Sequence, residues 1–354
     1  MKSLFLFCRA GFENECAAEI CHHAERLRLP GYCRATPGSA HVLFISHGNG
    51  DAAQLYNRLP LDELIFTRQW FVVLADLNAL PVSDRAGPIV AGLGRLPEPV
   101  RDLRMETVDT NEGKSLSTLA RKLGRPLHRA LADAGHIASG SPLFLHCCLL
   151  ATDHAVVGYA CRHNSAPWPM GIPRLKMPRS APSRSTLKFE EAMLRFFGAD
   201  AVERYLVPGG RAVDLGAAPG GWTWQLVRRH QFVTAVDNGP MDAALMESGQ
   251  VEHRREDGFR FRPAQPVDWM VCDMVENPAR VAALAADWLA NGWCRHSLFN
   301  LKLPMKKRLA ETRRCLALVH ERLRQAGIRY HLYASQLYHD REEITVAVVR
   351  HDKD

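Results

Sequence analysis

Residues 211–224 read RAVDLGAAPGGWTW. An apolar run ends at Asp214 and Leu215, glycines and a proline follow, and a helix-compatible stretch begins at Trp222. In an open parallel sheet the ligand crevice lies at the carboxyl ends of the strands, where such a turn sits. Gly216, Gly220 and Gly221 let the backbone approach a ligand closely and take positive φ. Two familiar occupants are disfavoured. The phosphate cradle GxxxxGK[ST] is broken because Trp222-Thr223 stands where Lys-Ser/Thr belongs, and GxGxxG is broken by Ala218 in place of its second glycine.

Outward from the turn, strand and helix alternate. VDLGA, FVTAVD, VEHRRED, DWMVCDM and SLFNLKLP read as strands. WTWQLVRRH, PMDAALMESG, PARVAALAADWLANGW and LAETRRCLALVHERLRQAG read as helices between them. The alternation predicts an α/β domain with a parallel sheet covered on both faces. The end departs from it, because IRYHLYASQLYH and EEITVAVVRH form a closing hairpin. The expectation is a Rossmann-like domain over 186–354, its parallel sheet ending in an antiparallel hairpin.

Asp237 ends the second strand, 21 residues after Gly216, and Asp257 ends the third. A carboxylate there can accept both protons of a ribose diol, and one on the third strand can accept from an adenine amino group. The pattern describes an adenosine ligand without a pyrophosphate, and S-adenosylmethionine fits it.

The fourth strand ends in Cys272-Asp273-Met274. DMVENP lacks the Asn/Asp-Pro-Pro-aromatic pattern that serves base and glutamine nitrogens, so amine methylation is disfavoured. Cys272 lies inside an apolar strand and reads as buried, not as a nucleophile for cytosine C5 chemistry. Lys302 ends the fifth strand, where a cation looks into the crevice. Lys188 lies at the start of the helix entering the domain; Ser185 or Thr186 is expected to cap that helix, with Glu190 or Glu191 completing a capping box. Glu343 opens the last strand, and alternation turns Glu342 the other way. Singly these are surface charges. Their meeting with Asp273 at one sheet end is what points to a site.

The segments PSRSTLKFEEA, DLGAAPGGWTWQLV, VDNGPM, REDGFRFRP, WMVCDMVENP, NGWCR, FNLKLPMKKR and QLYHDREEITV resemble the FtsJ-type ribose 2′-O-methyltransferases. More narrowly they resemble a bacterial branch that acts on large-subunit ribosomal RNA. The resemblance covers essentially the whole C-terminal half. It implies a Lys-Asp-Lys-Glu tetrad of Lys188, Asp273, Lys302 and Glu343, and cofactor contacts from Ser185, Ala218, Pro219, Gly220, Gly221, Asp237, Asp257 and Asp273. Where that family often has Cys before the proline of the turn, this chain has Ala218, at a position where the backbone makes the contact. The implied substrate is a cytidine of 23S rRNA near the peptidyl-transferase centre, taken as naked or precursor RNA. Lys302 is the expected base, provided burial or a neighbouring cation lowers its pKa. No metal is needed.

The chain has 354 residues, 47% of them hydrophobic, enough for two cores. The break is expected at 163–185, HNSAPWPMGIPRLKMPRSAPSRS, with five prolines and no acid, read as an extended basic linker. Residues 1–162 mix strands and helices and suggest two small α+β units. They are compatible with the N-terminal THUMP-type RNA-binding module that the resemblance implies. Net charge is +7, and the basic residues cluster in the linker, in KLPMKKR and on the 114–129 helix, as phosphate contacts would require. Trp222 and Trp224 read as core, with base stacking as the alternative.

No apolar run approaches the roughly 18 residues of a membrane span, and the first residues read as a strand and helix, not a targeting segment. The ten cysteines include no CxxC and fit a reduced, cytoplasmic protein. Cys16-x4-Cys21-His22-His23 lacks a second ligand pair for zinc. A monomer is expected. Two competing readings are an RNA-binding ribosome assembly factor with a degenerate methyltransferase fold, and a nicotinamide-dependent oxidoreductase. The intact acids and tetrad stand against the first, the missing GxGxxG and the terminal hairpin against the second.

Overall fold

The computed structural model describes residues 2–200 and 202–351; the outermost ends of the two expected regions, Met1 and 352–354, lie outside the described residues. Two compact units result, 1–173 and 174–354.

The first unit holds strands β1 (Ser3–Phe7), β2 (Gly31–Ala35), β3 (His41–Ser46), β4 (Gln69–Leu77), β5 (Asp102–Thr107), β6 (Leu143–Ala151) and β7 (His154–Cys161). They form one sheet in the order β2-β3-β1-β4-β7-β6-β5. The expectation of two small α+β units is therefore corrected. β4 pairs with β1 on one side (Leu4 opposite Val72) and with β7 on the other (Val72 opposite Tyr159), which fuses the halves. Its run QWFV is buried throughout, as a strand covered on both faces requires.

The proline-rich stretch is not one linker. Ala166, Met170 and Ile172 are buried in the first unit. The Ala166 carbonyl accepts from Gln69 Nε2 (3.0 Å) and Arg104 Nη1 (2.7 Å). The Met170 N–H donates to Glu106 Oε1 (2.5 Å), whose other oxygen holds His146 Nδ1 at 2.8 Å. Beyond Pro173 the chain has neither helix nor strand until Thr186.

The second unit contains β8 (Arg211–Leu215), β9 (Phe232–Val236), β10 (Val251–Arg254), β11 (Val267–Cys272), β12 (Cys294–Lys302), β13 (Tyr330–Ser335) and β14 (Glu343–Arg350). The order is β10-β9-β8-β11-β12-β14-β13. β8 to β12 run parallel to one another, and β14 runs antiparallel to both β12 and β13. The chain moves outward from β8 to β10, then returns to β11 on the other side of β8. That reversal opens the crevice between β8 and β11. The Thr186–Phe197 helix turns Phe189, Met193 and Phe197, spaced by four residues, onto a core with Trp222, Trp269, Leu226 and Leu298.

Candidate functional site

The glycine turn follows β8 and Asp273 follows β11, so both lie at the mouth of the crevice. Gly216 has φ +77° and Gly220 +116°, which favour glycine. At Gly221 a Cβ would occupy the place of the Ser183 and Ser185 hydroxyls, which bond each other at 2.6 Å. Thus 183–185 lies directly against the turn. Trp222 is buried, and its Nε1 donates to the Ser185 carbonyl (3.1 Å), a core role. Trp224 is half-buried with the Arg228 guanidinium over its ring.

Asp237 is half-buried at the end of β9. One oxygen accepts from the Ala218 N–H (3.0 Å) and the other from the Gly239 N–H (2.7 Å), which fixes the carboxylate while leaving lone pairs for a diol. Asp257 lies three residues beyond β10 on an exposed turn, where it accepts from the Phe259 N–H (2.8 Å). No bond joins it to the tetrad residues. Asp214 points inward and accepts from the Thr223 hydroxyl (2.7 Å). A glycine-lined turn, a carboxylate fixed by two backbone N–H groups and no lysine at the turn are a donor set that an adenosylmethionine fits.

The four residues expected to form a tetrad do meet. Lys302 stands opposite Glu343 in the β12–β14 register, and their side chains pair. Lys302 Nζ also lies 2.6 Å from Asp273 Oδ1. Lys188 Nζ reaches Glu343 Oε1 at 2.5 Å and Asp273 Oδ2 at 3.3 Å. Each lysine thus touches both acids. Burial works to lower the Lys302 ammonium, but the charges and hydrogen bonds of Asp273 and Glu343 outweigh it and hold its pKa above the ordinary value. The expected depression is reversed, because two anions outweigh the one cation nearby. Burial tends to raise Asp273, yet Lys302, Lys188 and Asn300 keep it below the usual range.

Some supporting residues carry no signature in the sequence. Asn300 stands opposite Thr345, two residues along from the Lys302–Glu343 pair, so strand alternation puts both pairs on one face. Asn300 Nδ2 donates to Asp273 Oδ1 (2.8 Å), and the Thr345 hydroxyl donates to Asn300 Oδ1 (2.7 Å). Behind them the buried Asp340 lies 3.1 and 3.2 Å from the Thr345 hydroxyl. Burial, then the charge of Glu343, push the Asp340 carboxyl well above its usual range, which favours its protonated form. The β-register sets Asn300 against Thr345, and the loop before β14 brings Asp340 to them.

The capping-box expectation fails. Ser185 is the N-cap residue but its side chain makes no cap bond. Glu190 pairs with Arg229 (2.6 Å), and the buried Glu191 accepts from the Tyr338 N–H (2.7 Å), the His339 N–H (2.9 Å) and His339 Nδ1 (2.6 Å). Glu191 therefore ties the Lys188 helix to the loop that precedes Glu343. Cys272 is fully buried, and burial pushes its thiol up to about 12, which removes a thiolate nucleophile at neutral pH. Among the described residues no helix is long and apolar enough to cross a membrane.

Residues 1–71 match the family described as RlmM ferredoxin-like domain, 84–161 match ribosomal RNA large subunit methyltransferase M, N-terminal, and 181–308 match FtsJ-like methyltransferase. The ribosomal RNA large subunit methyltransferase M of Methylococcus capsulatus is 52% identical, with 97% of each chain covered. Those of Cellvibrio japonicus and Erwinia tasmaniensis are each 50% identical, over 98% of both chains and over 99% and 97% respectively. A solved structure, TrmN from Thermus thermophilus, shares 14% identity over 99% of this chain and 100% of its own, with a TM-score of 0.37, too low to weigh.

Proposed function

The chain belongs to the ribosomal RNA large subunit methyltransferase M family, and from that premise we propose that it methylates a ribose 2′-oxygen, that of a cytidine in 23S rRNA, using S-adenosylmethionine. The observation that carries the reading is the mutual contact of Lys188, Asp273, Lys302 and Glu343 at the mouth of the crevice beside the glycine turn.

When bound, S-adenosylmethionine supplies a methyl group already activated on a sulfonium. Asp237 would hold the ribose diol and Asp257 the adenine amino group, while Ser185, the 218–221 backbone and Asp273 would line the remainder. Lys188 orients the substrate hydroxyl, and Lys302 Nζ takes its proton. To do so Lys302 must first be neutral, and Asp273 and Glu343 oppose that. The same two acids hold both lysines in place, so the site favours positioning over a large resting fraction of free base.

The first unit offers a surface suited to RNA. Arg121, Arg125 and Arg129 are exposed at four-residue spacing on the Ser117–Asp133 helix, a step of about 6 Å along the axis. No acid occurs between Glu112 and Asp133, and no acidic side chain of the described residues pairs with any of the three. Arginines on other helices do pair with acids, as Arg280 does with Glu276 and Arg324 with Glu321. An unpaired row of guanidiniums suits a phosphate backbone.

The test is transfer of tritium from labelled S-adenosylmethionine to unmodified 23S rRNA, with digestion to nucleosides. Label on 2′-O-methylcytidine, lost in Lys302→Ala, is the expected result. Label on a base, or transfer undiminished in the variant, would refute it.

A further inference from the structure

Among the described residues, the two large apolar side chains most exposed to solvent are Val275 and Met305, each 91% exposed. Both flank the tetrad. Val275 lies two residues beyond Asp273, and Met305 three beyond Lys302, on the loops that leave the adjacent strands β11 and β12. The Asp273–Lys302 bond ties the bases of these loops together.

Neither exposure comes from a loose loop. Around Val275, Asp273 is held by Asn300 and both lysines, and Met274 packs where a Cβ on Gly216 would stand. Asn277 caps the following helix through the N–H groups of Ala279 (3.0 Å) and Arg280 (3.4 Å). Around Met305, Glu342 fastens both ends of the loop: its carbonyl accepts from the Leu303 N–H (2.7 Å) and its carboxylate pairs with Arg308 (2.7 Å). Two anchored apolar side chains are thus presented to solvent on the loops that follow Asp273 and the proposed base Lys302. Lys306 and Lys307, both exposed, follow Met305 directly.

Resting on the function proposed above, we propose that Val275 and Met305 grip the base of the nucleotide whose ribose is offered to Lys302. The apolar surface of RNA is the faces of its bases, and stacking hides them within a helix. A pair of apolar jaws beside the methyl site therefore selects a nucleotide drawn out of its stack. Valine gives a rigid wall. The methionine thioether is flexible and polarisable and can lie against an aromatic ring. Lys306 and Lys307 would meet the phosphates on the same side. A protein partner is the poorer match, because both side chains leave strand ends that carry the charged tetrad, and Lys306 and Lys307 follow Met305 directly.

The experiment measures methyl transfer to transcribed, unmodified 23S rRNA for the native chain, Val275→Ser, Met305→Ser, the double variant and Met305→Leu. Each serine variant should lower kcat/KM for RNA about tenfold and the double variant more, as loss of an apolar contact to a base predicts. Met305→Leu should stay within about twofold of native, since it keeps the apolar volume. Tm and the affinity for S-adenosylmethionine by calorimetry should not move. Serine variants as active as native overturn the grip, and so does a loss that comes with weaker cofactor binding or a lower Tm. Met305→Leu failing like Met305→Ser also overturns it. If the native chain itself transfers nothing to this RNA, the reading of the site fails, and the grip falls with it.

Discussion

Lys302 and Glu343 face one another across β12 and β14, the last residue of one strand against the first of the other, and their side chains pair. Burial alone would free the lysine's proton more easily. Glu343 and Asp273 reverse that and keep it charged above the ordinary lysine pKa. If neutral Lys302 is the base, kcat should rise about tenfold per pH unit from roughly pH 6 to 9 without levelling, since the neutral form stays scarce below about pH 10. Glu343→Gln removes one of the two anions, and its profile should bend at lower pH. A flat profile in the native chain would sink the base assignment.

Asn300 holds Asp273 in place through a single charge-assisted bond of 2.8 Å. Asn300→Ala should lower kcat by roughly ten- to a hundredfold, the worth of a hydrogen bond to a charged group. Circular dichroism should show the fold intact. An unchanged kcat would mean the two lysines suffice to place Asp273.

At Gly221 the space a Cβ would need is filled by the Ser183 and Ser185 hydroxyls. Gly221→Ala should push 183–185 off the glycine turn and weaken S-adenosylmethionine binding by about tenfold or more, because small displacements at a close-packed site are costly. Calorimetry measures it directly. An unaltered Kd would exclude Ser185 as a contact that depends on this packing.

The arginine row makes a separate prediction for the first unit. Replacing Arg121, Arg125 and Arg129 by Gln should reduce the slope of log K against log salt by about 2, if each neutralises one phosphate of single-stranded RNA. Filter binding of the 23S transcript at several KCl concentrations reads the slope. A parallel line with the native one would place the phosphates elsewhere.

Burial raises the Asp214 carboxyl to about 7, against the opposing bond from Thr223. An acid with a raised folded pKa binds a proton in the native state that the unfolded chain has released. Its contribution is therefore full below about pH 4 and is lost as pH rises towards 7. Asp214→Asn keeps an acceptor for Thr223 and cannot ionise. Relative to the native chain it should gain on the order of 3 kcal/mol between pH 5 and pH 8, read by urea unfolding of the C-terminal unit. A constant difference across that range would show that Asp214 is already ionised.

What the sequence by itself determined is local. A strand's alternation, a glycine turn with Trp222 in place of a lysine, and acids at strand ends are all spelled within a few residues. They predict a parallel sheet with a closing hairpin, which the structure has, and a crevice for an adenosine ligand. The four charged residues could be picked out because each ends or opens an element. Their meeting was decided by strand order, which sets β14 against β12 and joins Lys302 to Glu343 across 41 residues of chain. Asn300, Thr345 and Asp340 were invisible beforehand, since an asparagine and a threonine inside a strand have no spacing that marks them. Glu191 looked like a capping residue because helix starts are read locally, whereas its partners Tyr338 and His339 lie almost 150 residues away. The single seven-stranded sheet of the first unit rests on one pairing, β4 with β7, that no local pattern specifies. The charge on Lys302 is likewise a tertiary property: pKa follows the sum of burial and neighbours, and that sum exists only once the strands have paired.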